Sequence, residues 1–171
     1  MRKLPNHTAL KEWSSVVDAL ASGRQVILIR KGGIADPSFG VDADRFYLYP
    51  TYFHQGESES RPRVTITHWC EVVRTWTTRD AAVLEQLAPQ VVLPPGTLDA
   101  RYRFRPDQAL YVLGVRAWKL ARPADVHYRD EYGGCRSWVS VDEEIDVEGS
   151  SPVLAEAELQ SRLASVAALW N

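Results

Sequence analysis

The chain has 171 residues, of which 45% are hydrophobic and 25% charged, and a formal net charge of −2. A chain of this size buries roughly 70% of the surface its unfolded form exposes, so its core needs neither a disulfide nor a metal. The near-neutral balance excludes a global basic field of the kind that drives non-specific duplex binding, while a local basic groove stays open.

The two cysteines, Cys70 and Cys135, form no CxxC pair, which fits free thiols in a reducing compartment. No apolar run approaches the ~20 residues of a membrane-spanning helix. The N-terminal stretch MRKLPNHTALKEW lacks the apolar core of a secretory signal. A soluble, cytoplasmic chain with no membrane association is expected.

In chain order, Thr8 is placed to cap a helix running to about residue 22, with Gly23 as its stop. Leu10, Trp13, Val17 and Leu20 recur at helical spacing and would pack on the body. Lys11, Glu12, Ser14 and Asp18 fall off that face; Glu12 is either solvated or reaches into a site. Residues 25–30, QVILIR, form a short apolar run that reads as a buried strand. It ends on Arg30, Lys31, Gly32 and Gly33. Two cations and two glycines make an anion cradle or a solvated turn, and match neither GxxxxGK[ST] nor GxGxxG. A loop over 34–44 leads to RFYLYPTYFHQ, residues 45–55. There Phe46 and Leu48 alternate with Tyr47 and Tyr49, as in a strand packed on both sides. Pro50 interrupts the ladder. Thr51, Tyr52, His54 and Gln55 then deliver polar groups to the strand end.

After a polar excursion, residues 63–75 alternate again. Val64, Ile66, His68, Cys70 and Val72 are expected on one face. His68 and Cys70 are roughly 7 Å apart along the strand. No second ligand pair follows at zinc spacing, so no metal is expected. Asp80 caps a short helix through residue 87, ended by Pro89. Residues 97–104 form another short helix or an extended segment. Arg101, Arg103 and Arg105 line one side if it is extended and spread if it is helical. Residues 109–121, ALYVLGVRAWKLA, form a second strong strand that Pro123 ends. Within it, Arg116 wants a carboxylate or a phosphate. In YGGCRSWVSV, residues 132–141, Gly133 and Gly134 precede Cys135, with Ser137 and Trp138 opening a strand. Ser151 and Pro152 read as the N-cap and first position of an amphipathic C-terminal helix carrying Leu159, Leu163 and Val166.

KEW, LIRKGGI, FYLYPTYFHQ, LYVLGVRAWKL and YGGCRSWV, in this order, resemble the bacterial domain-of-unknown-function family 1802 over about residues 10–141. The resemblance implies a cytosolic bacterial domain associated with restriction–modification systems. It supplies no catalytic residues.

The expected fold is α+β: a mixed or mainly antiparallel sheet, flat or curled into a partial barrel, with N-terminal, middle and C-terminal helices packed around it. Residues 1–148 would form one domain. Residues 149–171 would add a helix docked on the core or on a partner.

Three functional readings stay open. The first is a nucleic-acid or nucleotide recognition module. It would bind a phosphate-bearing ligand through Arg30, Lys31, Gly32, Gly33, Tyr49, Tyr52, Gln55, Arg116, Gly133, Gly134, Ser137 and Trp138, by fold-level analogy with base-binding domains of the PUA-like type. The second is an enzyme in which His54 activates a Cys135 nucleophile. The third is an interaction protein that forms a homodimer through its C-terminal helix. None of the three calls for a cofactor.

Overall fold

The computed structural model describes residues 1–31, 43–52, 62–134 and 136–170. Seven strands among these residues form one open sheet, in the order β2-β5-β4-β3-β1-β6, with β7 also paired to β5. The strands are β1 (Thr8–Trp13), β2 (Ile27–Arg30), β3 (Arg45–Thr51), β4 (Arg63–Thr78), β5 (Leu110–His127), β6 (Trp138–Ser140) and β7 (Ser151–Pro152). The helices are α1 (Ser14–Ala21), α2 (Ala81–Leu87), α3 (Thr97–Arg103) and α4 (Glu156–Ala167). The β1–β3 pair is parallel and the other pairs are antiparallel. The α+β expectation, with a mixed and mainly antiparallel sheet, therefore holds.

Both faces of the sheet are covered. Ala9, Tyr47, Tyr49, Ile66 and Val126 pack beneath the segment that carries Tyr132, Val139, Val141, Ile145 and Val147. On the opposite face Leu10, Phe46, Leu48 and Cys70 pack against Val16, Val17 and Leu20 of α1. The alternation in β3 thus divides aromatic and aliphatic side chains between two cores. A third cluster joins β2 and β5 to α2 and α4 through Ile27, Ile29, Val112, Leu84, Leu87, Leu159, Leu163 and Val166. Gly114 lets α4 approach closely, because a Cβ there would lie 2.9 Å from Leu163 and 3.0 Å from Trp76. The helix is docked on the sheet of its own chain.

Four local expectations are corrected. The helix expected from Thr8 begins only at Ser14, because residues 8–13 find two strand partners, β3 and β6, and tertiary pairing overrides the helical spacing. Gly23 does follow the helix end, with φ of 71°. Pro123 does not end β5. It falls in an irregularity, where the pairing passes from His68↔Lys119 to Ile66↔Ala124, and there a missing N–H is tolerated. The same irregularity splits the expected single face of β4: Val64 and Ile66 pack with Trp69, while Cys70 and Val72 pack on the α1 side. Finally, Ser151 and Pro152 pair with β5 instead of opening the last helix, which starts at Glu156 after Ala155.

Candidate functional site

The site grows from the end of β1. Parallel pairing sets Lys11, Glu12 and Trp13 beside Tyr49, Pro50 and Thr51. Lys11 and Glu12 are both buried, on opposite faces of the sheet by strand alternation. Buried charges demand partners.

Glu12 is 2% exposed and is shared by two guanidinium groups. Its Oε2 accepts from Arg30 Nη1 at 3.1 Å, and its Oε1 lies 3.9 Å from Arg101 Nη2. Oε1 also accepts the Trp13 backbone N–H at 3.0 Å, at the start of α1. Arg30 comes from the last position of edge strand β2. Its Nη2 donates to Ser137 Oγ at 2.8 Å, beside the other edge strand, β6. The open sheet is therefore curled enough for one side chain to bridge its two edges. Ser137 is itself buried, and its carbonyl accepts the Lys11 backbone N–H at 2.9 Å.

The short helix α3 is tied to β2 by reciprocal bonds. Arg101 Nη1 donates to the Ile29 carbonyl at 2.7 Å, and Lys31 Nζ donates to the Tyr102 carbonyl at 2.7 Å. Arg101 also lies over the Trp13 ring at 5.8 Å, and Lys31 over the Tyr102 ring at 5.9 Å. Burial lowers the Arg101 guanidinium from its ordinary value; Glu12 opposes this and Arg30 adds to it. Burial likewise lowers Lys31, against the pull of Asp107 and with a smaller push from Arg79. Two cations, Arg30 and Arg101, thus converge on Glu12, and Lys31 docks on α3 beside them, near Asp107.

On the other face, Lys11 Nζ donates to the Gly134 carbonyl at 2.8 Å. It shares a small cavity of about 20 Å³ with Tyr49, Thr51, Tyr52, Tyr128 and Tyr132. Tyr49 and Tyr132 meet edge to face, with centroids 5.9 Å apart. Trp138 meets Phe46 in the same way at 5.2 Å.

Of the residues singled out from sequence, Arg30 and Ser137 are in direct contact, and Lys31 docks beside them on α3. Tyr49, Tyr52 and Gly134 lie around Lys11, and Gly133 adjoins Gly134. Arg116 lies elsewhere, between Glu71 and Glu156. The arginines of residues 101–105 do not form a ladder: helical α3 sends Arg101 inward, pairs Arg103 with Asp99 and leaves Arg105 over Phe104. Gly32, Gly33, His54, Gln55 and Cys135 lie outside the described residues. Among the described residues no group of three His, Cys, Asp or Glu side chains could hold a metal. Nor is any helix among them long and apolar enough to cross a membrane.

Lys11 is the residue that sequence reasoning passes over, and Arg101 is read there only as one member of a basic series over residues 101–105. Reading residues 8–22 as one helix put Lys11 on a solvated face. The usable signal was a Lys-Glu pair enclosed between apolar residues and a tryptophan.

The family model for a domain of unknown function, DUF1802, matches residues 9–165. The chain belongs to this family. The match runs through most of α4, beyond the stretch whose motifs carry the resemblance. No curated protein matches the chain. Among solved structures, a Ser-to-Ala variant of ZmASCH from Zymomonas mobilis superposes with a TM-score of 0.51 at 13% identity, covering 95% of this chain and 99% of that one. A Tyr-to-Phe variant of ZmASCH from the same organism gives 0.49 at 11% identity, covering 92% and 96%. At 13% identity the first of these likenesses shows that this DUF1802 chain shares the ASCH fold, and nothing more.

Proposed function

We propose that the end of β1 and β2 is a recognition site for the phosphate-bearing backbone of a single-stranded nucleic acid or a nucleotide. The observation that carries this reading is the sharing of one buried carboxylate, Glu12, by Arg30 and Arg101. Such a cluster adds little stability over apolar packing of the same volume. It does fix guanidinium forks in a low-dielectric site, where a phosphate is bound most strongly. Lys31 adds a third cation on the same side, and Trp13 and Tyr102 add aromatic rings on which bases can stack. The net charge of −2 argues for a local contact and against broad duplex coating.

The test is a fluorescence-anisotropy titration of labelled single-stranded RNA and DNA oligonucleotides at several KCl concentrations. Wild type should bind more weakly as salt rises. Lys31→Ala should weaken binding across sequences and lower the salt slope by about 0.7. Salt-independent binding, or an unchanged slope in Lys31→Ala, would contradict the reading.

A further inference from the structure

At the opposite end of β3 a cavity of about 520 Å³ opens between the N-terminal residues, β3, β4, β5 and residues 147–150. Cross-strand register sets Tyr47, Trp69 and Trp118 opposite one another in one row and Arg45, Glu71 and Arg116 in the next; of these, Trp69, Trp118, Arg45 and Glu71 line the cavity. Trp69 and Trp118 stack in parallel, 5.3 Å apart with 5° between their planes. Trp69 is locked, because its indole N–H donates to Ser150 Oγ at 3.1 Å, and that hydroxyl donates to the Val147 carbonyl at 2.7 Å. Trp118 is half-buried, lines the cavity, and its Nε1 is buried with no partner among the described residues.

Arg2, Lys3 and Arg45 line the cavity along with Glu71 and Glu148; Lys3 is paired with Glu144, Arg45 with Glu71 and Glu148 with the N-terminus. Arg45 is 42% exposed and uses Nε and Nη2 on Glu71, which leaves Nη1 for a ligand or water. The volume lies within the range of small-molecule sites, and the lining combines one wall of two indoles with a larger share of charged groups than most such sites have. A rigid indole pair presents a flat surface for a ring, and the arginines beside it suit an anion.

We propose that this cavity binds a small planar aromatic molecule that carries a carboxylate or a phosphate. The site is separate from the strand-end cluster, which lies at the far end of β3, and does not depend on the reading given to that cluster. Ring stacking on Trp118 would supply affinity, and Arg45 with Arg2 would select the charge.

The experiment uses the full chain labelled with ¹⁵N and follows its indole N–H resonances. The probes are adenosine 5′-monophosphate and indole-3-acetate, with adenosine and inorganic phosphate as controls. At least one charged aromatic probe should shift the Trp69 and Trp118 signals, independently of any movement of the Trp13 signal, which reports on the strand-end cluster. Which of the two probes does so identifies phosphate or carboxylate as the anion. Trp118→Leu should weaken binding about tenfold, the value of one stacked ring. Arg45→Gln, at an exposed position, should weaken binding of the charged probe and leave that of adenosine unchanged. Lys31→Ala should leave all of these shifts as they are. If neither charged probe moves the two signals at millimolar concentration, or if Arg45→Gln binds as wild type, the proposal is overturned. A shift lost in Lys31→Ala would place the ligand in the strand-end cluster and would overturn it too.

Discussion

Two carboxylates in this molecule are each bracketed by two arginines, and they differ in burial. Glu12 lies between Arg30 and Arg101, with side-chain exposures of 2%, 12% and 21%. Glu71 lies between Arg45 and Arg116, with exposures of 23%, 42% and 23%. Chemically these are the same triad. The outer one runs across the register of β3, β4 and β5, and water screens it. The inner one joins side chains from β1, β2 and α3, and its arginines make further bonds to Ser137 and to the Ile29 carbonyl. A surface triad of this kind follows from placing opposite charges on neighbouring strands. A buried one carries a desolvation cost that stability alone does not recover. The difference in burial is why the functional reading rests on Glu12 and not on Glu71.

The largest expected effect comes from breaking the inner triad. Glu12→Gln leaves two guanidinium groups around a neutral amide and should cost roughly 3–5 kcal/mol in urea unfolding. Replacing Glu12, Arg30 and Arg101 together with Leu, Met and Met should recover most of that loss and still abolish oligonucleotide binding. Recovery of stability with binding intact would separate the triad from recognition. Next in size is Gly114→Ala. The new Cβ meets Leu163 at 2.9 Å and should destabilise the α4 contact by about 1–3 kcal/mol. In the outer triad, Glu71→Gln should cost about 0–1 kcal/mol. A loss there equal to that of Glu12→Gln would erase the contrast.

A subtler effect is set by pH. Burial, helped by Lys119 and opposed by Asp18, holds the His68 imidazole below its ordinary value of 6.5. The unfolded chain therefore takes up a proton near pH 6.5 that the folded chain resists. Stability is full above that pH and falls as pH drops from 6.5 through the depressed folded value. His68→Gln should flatten this part of a plot of urea midpoint against pH.

Much of the framework was legible in sequence because it rests on patterns with a single period. The alternation of Phe46 and Leu48 with Tyr47 and Tyr49 gave β3 and its two packed faces. QVILIR gave β2, and Asp80 gave the cap of α2, where its Oδ1 accepts the Ala82 N–H at 2.8 Å. An arginine within an otherwise packed strand calls for an anionic partner, and Arg116 has two carboxylates. Three features resisted. Residues 8–13 carry spacing compatible with a helix, and only their pairing with β3 and β6 decides for a strand. The irregularity near Thr67, opposite Pro123, moves side chains between faces in a way no alternating pattern announces. The convergence of Glu12, Arg30, Arg101 and Ser137 joins residues up to 125 positions apart (137 − 12) and depends on the curl of the whole sheet. Arg30 and Ser137 had each been singled out, but nothing in their spacing showed that they would touch.

The most direct test compares the two triads in a single binding experiment. The salt dependence of affinity for a single-stranded oligonucleotide is measured for wild type, Arg101→Gln and Arg45→Gln, with each variant confirmed as folded by its urea transition. Arg101→Gln should weaken binding and lower the slope by about 0.7, while Arg45→Gln should behave as wild type. Equal losses in both variants, or a loss confined to Arg45→Gln, would contradict recognition through the inner triad.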